Sequence, residues 1–104
     1  MSKEEIKILL VDDEKQFVDT LAERLAMRGF SARVAYDGPQ ALKAVEEPTD
    51  VIVLDLRMPG MDGFEVLRSV KKSNPQVQVI ILTGHGGDAE EQTAYRMGAY
   101  NFLK

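Results

Sequence analysis

The stretch Val51–Gly63, VIVLDLRMPGMDG, decides how this chain folds. An apolar run from Val51 to Leu54 ends on Asp55, and Pro59-Gly60 turns the chain soon afterwards. A continuous apolar run bounded by a turn reads as a strand buried on both faces of a parallel sheet. A carboxylate at its exit has two readings. It is a strand end meeting water, or it is a reactive group at the mouth of an open α/β sheet, where such folds bind their ligands.

The flanking sequence repeats the theme. Ile8–Val11 is a second apolar run, Val77–Leu82 (VQVIIL) a third, and Ser31–Ala35 and Tyr100–Leu103 are weaker strand candidates. Helical segments lie between them. Phe17, Val18, Leu21, Ala22 and Leu25 recur at helical spacing after Glu14, and Gly29 follows as a cap. Asp37 with Pro39 in the first turn starts a second helix, and Asp62 with Glu65 forms a capping box for a third. Asp88 with Glu91 repeats the start signal, and Gly98 ends that fourth helix. Strict alternation of strand and helix predicts an α/β domain, a doubly wound five-stranded parallel sheet with right-handed crossovers.

Composition sets bounds on function. The 104 residues suit one domain, and 44% hydrophobic with 29% charged residues is ordinary for a globular chain. Without cysteine, thiolate metal sites, disulfides and thiol nucleophiles are excluded. The net charge of −4 and the lack of a basic cluster argue against direct nucleic-acid binding. No apolar run approaches a membrane span, so no membrane role and a cytoplasmic location are expected.

Three strand exits carry the candidate chemistry: Asp12-Asp13, Asp55 and Thr83-Gly84. A nucleotide-binding domain of this class would place a glycine-rich turn after the first strand, with free N–H groups toward a phosphate. Two carboxylates there would repel an anion and attract Mg²⁺, which prefers oxygen ligands. Asp55 would complete a cluster of acids whose mutual repulsion a divalent cation relieves. The competing reading makes Asp12 a helix cap and Asp13 its solvated neighbour. With a cation present, Asp55 could attack phosphorus to form an aspartyl-phosphate, and Thr83 could donate its hydroxyl to a phosphoryl oxygen. The glycines after Thr83, in GHGG, leave room for the incoming group and for backbone motion.

Taken together, ILLVDDE, DVIVLDLRMPGMDGFEVL, VIILTGHG and GAYNFL resemble, in that order, the motifs of the receiver domain of two-component response regulators. The resemblance spans residues 1–104 and implies a flavodoxin-like receiver topology with strand order 2-1-3-4-5. It implies that Asp55 is the phosphoacceptor and that Asp13 and Asp55 ligate Mg²⁺ directly, Asp12 acting largely through water. The backbone carbonyl of Arg57 would be a further ligand, its side chain facing the crevice mouth. Thr83 would swing toward the phosphoryl group, and Phe102 would be the switch aromatic that turns inward with it. The implied partners are a sensor histidine kinase, whose phosphohistidine supplies the phosphoryl group, and an effector domain or partner protein. The module would assist its own phosphorylation and dephosphorylation without being an enzyme for an external substrate. His85, the lone histidine, is expected to be exposed and non-catalytic.

The pattern also breaks. In the family's last motif a phosphate-contacting lysine follows the position held here by Lys104, so Lys104 is not expected to fill that role. The family's closing helix after the last strand is missing, and the domain reads as truncated at that strand. Apolar surface should then be exposed on the sheet face shared with the first helix, with a homodimer through the last-strand face as one consequence. Alternative functions are a truncated or degenerate receiver acting only in protein interaction, and an aspartate-nucleophile phosphatase. Arg57 opposes the phosphatase, because it stands where such enzymes carry a second acid. A flavin or nucleotide binder is opposed by the acidic first exit.

Overall fold

The computed structural model describes residues 5–84 and 86–104. His85 lies outside the described residues. The elements are β1 (Lys7–Val11), α1 (Lys15–Met27), β2 (Ser31–Ala35), α2 (Gly38–Ala44), β3 (Val51–Leu54), α3 (Gly63–Ser73), β4 (Gln78–Leu82), α4 (Asp88–Arg96) and β5 (Asn101–Leu103). All pairings are parallel, and the sheet order is β2-β1-β3-β4-β5. The expected alternation and order are both present.

Local chemistry sets several helix ends. The Asp37 carboxylate accepts from Gln40 N at 2.8 Å, with Pro39 in the first turn of α2. Asp62 accepts from Glu65 N at 3.0 Å while Glu65 accepts from Asp62 N at 3.4 Å, completing the capping box of α3. Gly29 and Gly98 follow α1 and α4 at φ 93° and 103°, a conformation costly to residues with a Cβ. The start of α4 differs from the reading as Asp88 and Glu91. Gly87 is the cap residue, and Glu90 accepts from its N–H at 3.0 Å. The pairing sits one residue earlier because the helix already begins at Asp88.

The sheet is covered unequally. Ala41 of α2, Val66, Leu67 and Val70 of α3 and Ala94 of α4 pack with Leu9, Val11, Ile52, Leu54, Val79 and Ile81 in one core. Each fully buried Leu or Ile there contributes about 1.5–3 kcal/mol relative to exposure. Among the described residues the opposite face carries only α1, packed through Val18 on Ile8 and Leu10. Val51 and Val53 are therefore only partly buried, not covered on both faces as their apolar run suggested. Ile80 and Leu82 are partly buried too, and Ile80 is in register with Val53. This face is the more open of the two.

Two contacts tie elements together across the sheet. Arg33 of the edge strand β2 donates to Ala44 O at 2.8 Å and Thr49 Oγ1 at 2.6 Å, tying β2 to the segment that leads into β3. Gly63 opens α3 directly against the exit of β3. A Cβ at this position would lie 2.7 Å from Leu56 Cα and would also strike the Asp55 carbonyl oxygen. Gly63→Ala should therefore destabilise the fold by about 1–3 kcal/mol through overpacking, although Ala is the better helix former. Urea denaturation measures this, and unchanged or raised stability would show that the close approach is absent.

Candidate functional site

Strand register builds the site. β1 and β3 are neighbours, with Val11 opposite Leu54, so Asp12 and Asp55 leave the sheet side by side. Asp12 N donates to Ala35 O at 3.1 Å and Asp55 N to Val11 O at 3.0 Å, continuing the ladders past the strand ends. β4 lies beyond β3, and its exit residue Thr83 is held by its N–H to Leu103 O at 3.0 Å. Carboxylate oxygens of Asp12, Asp13 and Asp55 all lie within 4.8 Å of one another. Around them is a crevice of about 370 Å³, walled also by Arg57, Thr83, Gly84 and Lys104.

Each acid has a distinct environment. Burial pushes the Asp12 carboxyl up to about 6, against the opposing Glu14 N–H, and the charges of Asp55, Glu14 and Asp13 add to the rise. Burial also raises Asp55, opposed by hydrogen bonds from Arg57 N and the Thr83 hydroxyl, while the charge of Asp13 adds to the rise. Asp13 is exposed. Crowded acids that are pushed toward protonation form a donor set that a divalent cation would relieve, and hard carboxylate oxygens fit that group. Asp12 also accepts from Glu14 N at 2.9 Å, so it supports the entry to α1 while facing the crevice. It is not the helix cap; Glu14 holds that position without a side-chain cap bond.

The remaining residues fall as follows. Thr83 is 3% exposed, and its hydroxyl favours the charged form of the Asp55 carboxyl beside it. Arg57 is exposed at the crevice mouth, and its N–H points to Asp55 Oδ1 at 3.4 Å. Phe102 is buried, 6% exposed, below the loop that follows Thr83. Lys104 lines the crevice, but its Nζ is engaged by Asp88 Oδ1 at 3.5 Å and Glu91 Oε1 at 3.4 Å. The glycines after Thr83 divide their work: Gly84 lines the crevice, Gly86 abuts Phe102, and Gly87 caps α4. The run of glycines signalled a loop, but nothing in it separates these roles.

Comparison with known proteins bears on this geometry. Residues 8–104 match the family described as response regulator receiver domain. The chain is 37% identical over 97 residues to the transcriptional regulatory protein CpxR of Escherichia coli, covering 93% of this chain and 41% of that protein. It is 38% identical over 102 residues to a putative NtrX-like response regulator of Rickettsia bellii, covering 95% of this chain and 21% of that one. The chain thus spans less than half the length of these relatives. Among solved structures, a Burkholderia pseudomallei response regulator with a phosphorylated aspartic acid, calcium ion and citrate aligns with TM-score 0.90 at 29% identity. That alignment covers 95% of this chain and 59% of the other. A CheY-like receiver domain from Methanospirillum hungatei shares the fold at TM-score 0.92 and 24% identity, covering 96% of this chain and 81% of the other.

The acids give a pH dependence with a definite sign. Asp12 holds its proton to about pH 6 when folded, against 3.8 ordinarily. Between those values the folded state binds more protons than the unfolded chain, so stability rises as pH falls through the window and is lost on return to neutrality. Solvent screening limits the effect to about 1 kcal/mol, or roughly 4–8 °C in Tm. In EDTA, melting should occur at higher temperature at pH 5 than at pH 7.5, and Asp12→Asn should shrink that difference. An equal difference in Asp12→Asn would remove Asp12 as its source.

Proposed function

The chain belongs to the response regulator receiver family, and from that premise we propose that it is a phosphoacceptor module that takes a phosphoryl group onto Asp55. The observation that supports this best is the meeting of three carboxylates within 4.8 Å in a crevice that Thr83 also lines. The donor is the phosphohistidine of a sensor histidine kinase. Asp55 Oδ attacks phosphorus as the N–P bond breaks. The electron pair stays on the imidazole nitrogen, which is then protonated.

Asp12, Asp13, Asp55 and the Arg57 carbonyl are the proposed holders of Mg²⁺, which would supply positive charge beside the anionic phosphoryl oxygens. Thr83, held by its main-chain bond to β5, donates its hydroxyl to a phosphoryl oxygen. Phe102, in the strand that accepts the Thr83 N–H bond, follows that movement and carries it to the α4–β5 face. Tyr95, Tyr100 and Leu103 are exposed on that part of the molecule, which suits an effector domain, a partner protein or a second copy of the chain. Among the described residues no helix is long and apolar enough to cross a membrane, and we place the module in the cytoplasm. It turns over no external substrate.

Acetyl phosphate with Mg²⁺ should add one phosphoryl mass to the intact chain. The adduct should be lost in Asp55→Ala and suppressed by EDTA. An adduct that persists in Asp55→Ala rejects the acceptor assignment, and one indifferent to EDTA rejects the cation.

A further inference from the structure

Gly86 lies three residues beyond Thr83 in the loop between β4 and α4. Its φ is not in the left-handed region, so its backbone would accept any residue. The restriction is spatial. A Cβ at this position would strike Phe102 Cζ, lie 2.8 Å from Phe102 Cε1 and lie 3.0 Å from Thr83 Cγ2. Carbon atoms in contact prefer about 3.5–4.0 Å. The neighbouring glycines behave differently: a Cβ on Gly84 would meet nothing within 4 Å, and one on Gly87 would meet only the Glu90 carboxylate at 3.1 Å.

We propose that Gly86 is a positioning residue whose missing side chain forms the seat of the Phe102 ring, and that this seat couples burial of the ring to the reach of Thr83 toward Asp55. Phe102 and Thr83 are both buried, and both would press on a side chain at position 86. The close-packed core beneath them leaves little room for a small slide. Phe102 instead has other staggered rotamers, and it stands on the edge strand between exposed Asn101 and Leu103. A side chain at position 86 therefore drives the ring toward solvent and loosens the packing that holds Thr83. The signalling meaning of this coupling rests on the phosphoacceptor reading, but the seat itself does not.

The test uses the unphosphorylated chain with labelled phenylalanine rings and threonine methyls. Wild type should show a nuclear Overhauser contact between the Phe102 ring and the Thr83 methyl, with a ring-current shift on that methyl. Gly86→Ala should abolish both, and Gly84→Ala should keep both. In parallel, Gly86→Ala should lower stability in the wild-type background but much less in Phe102→Ala, a non-additive cycle that a merely structural loop glycine would not produce. Retention of the contact in Gly86→Ala, or additive stabilities, would overturn the proposal. If Gly86→Ala does not fold, recovery of the fold in Gly86→Ala/Phe102→Ala supports the seat, and failure of the double variant rejects it. Absence of an adduct at Asp55 would remove the phosphoacceptor reading and leave these readouts intact.

Discussion

The parallel pairing of β1 with β3 is the constraint on which the rest depends. Val11 faces Leu54 in that ladder, and the backbone bond from Asp55 N to Val11 O carries the register one step past the strands. Because side chains alternate along a strand, a slip of one residue would turn Asp55 away from the crevice and its apolar neighbours out of the core. The packing of Leu9, Ile52 and Leu54 at full burial opposes that slip. The hydrophobic pattern thus holds the acids together although they repel each other.

That repulsion is left standing in the fold. Desolvation is the largest influence on both Asp12 and Asp55, and each acid also feels the charge of another. Backbone N–H groups from Glu14, Arg57 and Leu56 and the Thr83 hydroxyl offset part of it. The site is therefore arranged to gain from positive charge, which is the property a divalent-cation site requires. Lys104, which shares the crevice wall with Arg57, is turned to the acids of α4.

The two faces of the sheet divide the labour. The side bearing α2, α3 and α4 contains the larger core and every glycine whose Cβ would collide with the fold: Gly38 on Met61, Gly63 on the exit of β3 and Gly86 on Phe102. These close approaches bring helix starts and loops onto the Asp55 and Thr83 exits. The side bearing α1 is thinner and leaves Val53 and Ile80 partly open.

The strands, the helices and their alternation were legible from the amino-acid sequence, and the strand order that makes Asp12, Asp13, Asp55 and Thr83 converge was implied by the family resemblance. Apolar runs, caps such as Asp62 with Glu65, and alternation of elements are local signals, and the parallel topology follows from them by general rules. The start of α4 was misread by one residue because Asp88 and Glu91 mimic the spacing that Gly87 and Glu90 use. The Arg33 tie to Thr49, the ion pairs of Lys104, the burial of Thr83 on the wall it shares with Asp55 and the seat of Phe102 against Gly86 were decided only by the tertiary structure. Each depends on which rotamer meets which neighbour across elements distant in the chain, and periodicity carries no record of that.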